Sequence, residues 1–433
     1  MWNRIWQQTM GSNLPFRDRG EWLRWLLATF SFWLLVVTRR LWLNSGEFPQ
    51  VPWFAWGCVV PRTVDLGLLA LLAGSFIAVS CTSSESRGNR LSLWLFAAAF
   101  TGLMLLDQHR TQPWAYQFLL IAVVLATASH RLAIPLLRLL TISIYLHSAL
   151  SKCDYSFCAG AGETFLRELS DPRGFSPDAN HSLPLRQPSA WPLIFPLGEL
   201  LVAIGLIWPS TRRWALWGAA GMHAILIVML GPWGLGHSAG VLIWNGYFIA
   251  QNWILFGKVK IPVNRQETEN VSLQRTGWCQ WVAIFVTGWA TLWPCLEPWG
   301  WCDLWPAWGL YAQHGEQLTY HFTRRGRDRL PARWQAPAVE SLEENPPEMA
   351  CQIFPQPIWL ELVSAPAYPQ NRFQLGVLLG LARDAVIQSE DVSAIWFFPA
   401  NRWTGERQTK RLSSLKEIEG AANRCWFNAH PRN

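Results

Sequence analysis

LAIPLLRLLTISIYLHSALSKCDYSFCAGAGE, residues 132–163, decides the fold. Positions 132–150 form an apolar run close to the roughly 20 residues that a helix needs to cross hydrocarbon. The run ends in a dense polar cluster: His147, Ser148, Ser151, Lys152, Cys153, Asp154 and Cys158. Similar runs flank it on both sides, at 21–38, 64–81, 91–106, 114–129, 191–208, 213–231, 238–256 and 278–295. The expectation is an all-α polytopic membrane helix bundle of eight or nine spans, the runs at 91–106 and 114–129 being the shortest.

Composition agrees. Hydrophobic residues make up 51% of the 433 and charged residues 15%, against about 25% charged in soluble domains. Thirty tryptophans suit a bilayer interface, where the ring is apolar and the N–H stays wet. The net charge is +7, but the lysines and arginines sit in short loops between the runs rather than on one face. That placement excludes nucleic acid as the partner and selects membrane lipids. The N-terminus has no short apolar core with a small-residue cleavage site, so the first span is expected to direct insertion.

Loop charges set an orientation. Arg212 and Arg213, then Lys258, Lys260, Arg265 and Arg275, mark cytoplasmic loops, and the 231–237 loop has no lysine or arginine. Arg4, Arg17, Arg19, Arg87, Arg90 and Arg131 fall on the same side, whereas Arg39 and Arg40 violate the rule unless 41–62 lies in the interface. The protein is therefore expected in the cell (inner, cytoplasmic) membrane, with 151–190 and the C-terminal region outside. The domains read as a bundle at 1–257, a cytoplasmic loop and final span at 258–299, and a small α+β soluble domain at 300–433. In that domain, strands are expected at 358–364 and 392–399, a helix at 372–389, a short charged helix at 413–422, and proline-rich linkers at 331–338 and 346–357. The domain is open to a protein partner.

The catalytic candidates are Lys152, His147, Glu199 and His223. Lys152 admits two readings: an anchor whose ammonium snorkels to water, or a base whose pKa is lowered by burial or nearby cations. Glu199 and His223 lie within adjacent apolar runs, where ionisable groups face the bundle interior and find partners. Their two readings are an interhelical hydrogen bond and a proton relay or substrate contact. The nine cysteines include Cys153 and Cys158, spaced C-x4-C, and Cys295 and Cys302, spaced C-x6-C. Neither is a C-x-x-C redox or zinc spacing. On the outer face, structural disulfides are the leading expectation, with a thiol-redox relay as the rival. His314 and His321 match no metal motif, so no metal site is expected. Asp107, His109 and Arg110 read as a structural turn with a role in lining a site beside Lys152. No phosphate loop, nucleophile elbow or dinucleotide fingerprint is present.

YLHSALSK (145–152) and the Cys/Gly-containing loop after it resemble the span-ending motif of the HTTM domain, the membrane part shared with vitamin K-dependent gamma-carboxylases. GELLVAIGLIWPSTRRWALWGAAGMHAILIVML (198–230) resembles that group's paired later spans and also DoxX/MauE-type membrane proteins; DQHRTQPWAYQFLL (107–120) is similar to the turn before another of its spans. The resemblance covers roughly 15–256. It implies an enzyme acting on a quinone or another lipophilic substrate, with Lys152 as base. Departures are Tyr155 or Phe157, rather than a clear tryptophan, as the aromatic after the lysine, the two intruding cysteines, and a C-terminal part smaller than a carboxylase's. A DoxX/MauE-like thiol or quinone redox protein and a non-catalytic membrane scaffold are the alternatives.

Overall fold

The structure is a computed structural model that describes residues 16–43, 48–82, 86–170, 189–257, 277–335, 339–340 and 351–432. Helices stand at the expected runs: α1 (Phe16–Val37), α2 (Thr63–Cys81), α3 (Arg87–Leu106), α4 (Pro113–Thr127) and α5 (His130–Lys152). Two short helices follow, α6 (Tyr155–Ala159) and α7 (Ala161–Ser170), then α8 (Ile194–Ile207), α9 (Arg212–Leu230), α10 (Ala239–Phe256) and α11 (Gly277–Leu292). Local chemistry sets several starts. The Ser86 hydroxyl accepts from Asn89 N at 3.0 Å to cap α3, and Pro113 opens α4, where its missing N–H costs nothing.

Among the described residues six helices are long and apolar enough to cross a membrane: α1, α2, α3, α5, α9, and α11 with its continuation to Trp299. The expected eight or nine spans are not reached on that measure. α4 and α8 are short, and α10 carries Asn245, Gln251 and Asn252, which lower its hydropathy. The outer faces are apolar, as lipid contact requires: Leu66, Ile77, Trp281 and Phe285 are 59–68% exposed. Exposed tryptophans collect at both ends, with Trp208, Trp214 and Trp278 at one and Trp191, Trp233, Trp299 and Trp301 at the other.

α5 and α10 run antiparallel along a ladder of polar contacts. Arg138 Nε donates to Leu255 O at 2.7 Å, Gln251 Nε2 to Thr141 Oγ1 at 2.6 Å, and Asn252 Nδ2 to Tyr145 Oη at 2.7 Å. α8, α9, α10 and α1 pack in succession beside α5, and α11 closes against α4 and α5.

The C-terminal region contains β1 (Gln317–Phe322), β2 (Val339–Glu340), β3 (Cys351–Ile353), α12 (Pro355–Val363), α13 (Asn371–Asp384), β4 (Val392–Phe397), β5 (Thr409–Leu412) and α14 (Leu415–Ala422). Four strands form an antiparallel sheet, β3-β1-β4-β5, which the two-residue β2 extends at the β3 edge. Tyr320 pairs with Ile353 on one side and Ala394 on the other. The strand expected at 358–364 is instead α12. Pro355 opens it, and Ile358, Trp359, Leu362 and Val363 bury one face at helical spacing.

The described parts of the 41–62 stretch, 41–43 and 48–62, pack in places against the rest of the chain. Phe48 and Val51 are buried, whereas Trp56 and Val59 are exposed. Residues 49–51 cross α13 at Gly376 and Gly380, where a Cβ would sit 2.7 Å from Val51 and 2.6 Å from Pro49. The tail runs alongside: Asn428 N bonds Trp53 O at 3.0 Å and Arg432 N bonds Gln50 O at 2.8 Å. Asp65 of α2 receives Arg110 on one carboxylate oxygen and Arg432, at 2.6 Å, on the other. The C-terminus is thus tied into the bundle by buried charge. Arg4, Lys258, Lys260, Arg265, Arg275 and the 346–350 linker segment lie outside the described residues.

Candidate functional site

On α5, Tyr145, Ser148 and Lys152 are spaced i, i+3, i+7 and share a face. That face looks into the bundle. The Lys152 ammonium donates to Ser148 Oγ at 2.7 Å and to both oxygens of Glu199 at 2.7 and 2.8 Å. All three ammonium donors can be used, and Lys152 is buried. The snorkelling reading is therefore corrected: the amine finds a carboxylate on α8 in place of water.

Glu199 does not meet His223. His223, from α9, has Nε2 at 2.6 Å from Tyr145 Oη and Nδ1 at 2.7 Å from Asn245 Oδ1. Asn252 donates to the Tyr145 oxygen, and Asn245 Nδ2 donates to Val241 O at 2.8 Å. Those donors fix the directions of the chain. Tyr145 O–H gives to His223 Nε2, and His223 Nδ1–H gives to Asn245, a neutral imidazole in one tautomer. His147 is separate: its Nε2 reaches Thr291 O on α11 at 2.9 Å, so it ties two helices together.

Tyr145, Ser148, Lys152, Glu199, His223 and Asn245 line one cavity of about 990 Å³, at the upper end of the range for small-molecule sites. Most of its wall is apolar or aromatic, including Trp244 and Phe248. It extends under the C-terminal domain to Glu316, Leu318 and Trp359. Leu169, Ile194 and Ile225 line it and are also exposed, forming an apolar rim between α7, α8 and α9. Burial pushes the Glu316 carboxyl up, against an opposing hydrogen bond from Asn371 N.

A second cluster lies immediately beyond Lys152. The Asp154 carboxylate caps α6 through Phe157 N at 2.6 Å and holds His314 Nδ1 at 2.6 Å. His314 Nε2 lies 2.9 Å from Glu297 Oε1, and Arg402 reaches the other Glu297 oxygen at 2.5 Å. Burial works against a charged His314, but the two carboxylates outweigh it and push its pKa up. His321 lies in β1 with Thr319 Oγ1 at 3.1 Å from Nε2. Among the described residues no group of histidine, cysteine and carboxylate side chains is arranged to hold a metal.

The expected disulfides are not formed: Cys153, Cys158, Cys295, Cys302 and the other five cysteines all stand outside disulfide bonds. Cys153 turns its thiol back to Ala149 O at 3.4 Å, and Cys302 turns to Asp303 O at 3.6 Å. Burial raises the pKa of Cys153, Cys158 and Cys302, and nearby carboxylates add to it. A protonated thiol is a poor redox nucleophile. Unreduced protein treated with maleimide after unfolding should be modified at all nine cysteines by mass spectrometry; a cysteine pair that stayed unmodified until reduction would restore the disulfide.

Asp107, His109 and Arg110 serve the domain joint rather than the cavity. His109 Nε2 is 2.8 Å from Pro366 O, and Arg110 also holds Trp42 O at 3.1 Å. Burial pushes the Asp107 carboxyl up to about 6 and the His109 imidazole down to about 4.

No protein-family model, curated protein or solved structure matches this chain. The reading of its site thus rests on its own residues. Sequence reasoning missed Tyr145, Asn245 and Asn252, although Asn245 and Asn252 stand out as amides in an apolar run, seven positions apart on one face. Glu297 and Arg402 carried no local signal.

Proposed function

We propose that this chain is a multi-pass protein of the cytoplasmic membrane, of HTTM type, with its C-terminal domain on the non-cytoplasmic side. Its cavity takes a lipophilic molecule with a polar head, a quinone being the class the resemblance implies, and Lys152 acts on that head. The observation that carries this reading is the Lys152–Glu199 ion pair in the wall of a mostly apolar cavity with an apolar rim.

The pair supplies a route to a base. A bound apolar ligand excludes water, which makes separated charge costly. One proton passing from Lys152 to Glu199 leaves a neutral amine and a neutral acid. The amine then takes a proton from the ligand's acidic group and, as ammonium, stabilises the anion it has made. Tyr145 and His223 stand on the same wall to orient that head. The DoxX/MauE-like thiol reading gains no support from nine cysteines outside disulfide bonds, and no observation favours a scaffold alone.

Gly221 lines the cavity, with no atom within 4 Å of a Cβ built there. Gly221→Leu should place its side chain in that space while gaining up to about 1 kcal/mol of helix propensity. The expected result is an unchanged or higher melting temperature, with loss of the lipophilic molecule that wild-type protein carries into organic extracts. Equal recovery of that molecule from both proteins would remove the cavity from the function.

A further inference from the structure

Three arginines from three helices converge at the end of the bundle opposite Lys152. Arg19 of α1 donates to Leu255 O at 3.1 Å and Gly257 O at 2.6 Å. Arg138 of α5 shares Leu255 O at 2.7 Å. Arg138 and Arg212 of α9 each place a guanidinium carbon 5.6 Å from the centre of the Phe256 ring.

Among the described residues the charges do not balance. Arg138 feels Arg212 and Arg19, Arg19 feels Arg212, and among the described residues no carboxylate forms an ion pair with any of the three. Arg212 Nε donates to Leu206 O and its Nη2 to Ile207 O, both at 3.2 Å, so the C-termini of α8 and α10 together offer about one negative charge, against three positive ones. Arg19 is 4% exposed, yet its Nε is buried with no hydrogen-bond partner. Arg138 and Arg212 are only half-buried, so ligand can approach from outside. Exposed Trp214 and Trp217 stand within about a turn and a half beyond Arg212, as at the headgroup level of a bilayer.

We propose that this cluster is a binding site for the phosphate of an anionic phospholipid. The phosphate oxygens take the guanidinium donors that the α8 and α10 carbonyls leave over, and the acyl chains lie along the apolar outer faces of α9 and α10. A phosphodiester supplies the missing negative charge and matches the planar guanidinium fork. The site is independent of the cavity beside Lys152, which lies at the other end of the same helix.

The test uses the full-length protein in detergent, with native mass spectrometry against phosphatidylglycerol, phosphatidylcholine and inorganic phosphate. Wild type should retain phosphatidylglycerol in preference to phosphatidylcholine, and equimolar inorganic phosphate should not displace it. Arg138→Gln and Arg212→Gln should each weaken phosphatidylglycerol binding about five-fold, while Arg39→Gln, exposed at the other end, should not. Melting curves check folding, and Arg212→Gln alone decides if Arg138→Gln unfolds the bundle. Equal binding of the two lipids, or unchanged preference in Arg212→Gln, would overturn the proposal. Displacement by inorganic phosphate would overturn the lipid as its occupant.

Discussion

Glu199→Leu should lower stability by about 3–5 kcal/mol, because it leaves the buried Lys152 ammonium with Ser148 as its remaining hydrogen-bond partner. Lys152→Met should cost a similar amount by stranding the carboxylate. The double variant Lys152→Met/Glu199→Leu should lie close to wild type, since a buried ion pair replaced by apolar side chains of similar volume is often neutral. Thermal unfolding in detergent, followed by tryptophan fluorescence, gives the coupling from the four proteins. Simple addition of the two single losses in the double variant would mean that the pair is not made. Function separates from stability in this set. The double variant should fold and yet lose any stabilisation by a lipophilic ligand, because the group proposed to act on the ligand's head is gone.

The second large effect is a pH dependence centred on His314. Its folded pKa lies above the ordinary value of about 6.5. The protonated state is therefore the one that folding favours. Its contribution is fully present below about pH 6.5 and is lost as pH rises through the elevated native pKa, at about 1.4 kcal/mol per unit of elevation. Wild type should accordingly lose melting temperature above about pH 6.5, while His314→Gln should be flatter in that window. Asp107 is pushed up to about 6 and titrates nearby, so the quantity to read is the difference between the two proteins at each pH. Parallel curves would show that His314 is not held between Asp154 and Glu297 as a cation. The consequence reaches the cavity, because Asp154 is two residues beyond Lys152 and Arg402 also holds Leu150 O at 3.2 Å. Loss of the His314 proton should loosen the end of α5 that carries the ammonium.

Some of this was legible from residue order. The lengths of the apolar runs placed the helices, and the polar end of 132–163 marked the edge where the ionic contacts gather. The i, i+3, i+7 spacing of Tyr145, Ser148 and Lys152 is also in the string, and it separates His147 from them. The residues of α12 read as a strand by themselves because Ile358, Trp359 and Val363 favour strands locally. Burial of one face after Pro355 overrode that preference.

Run length, charge and facing are properties of a segment by itself, so residue order determined the apolar helices, their ends and the candidates along them. Partner choice is a property of depth and rotation between segments distant in the chain. Only packing decided that Glu199 takes Lys152 and leaves His223 to Tyr145 and Asn245, that the cysteines form no disulfide, and that Asp154, Glu297, His314 and Arg402 meet. A charge buried in apolar surroundings must be matched by whichever group the neighbouring helix brings to the same level, and that level is set by how the helices stack.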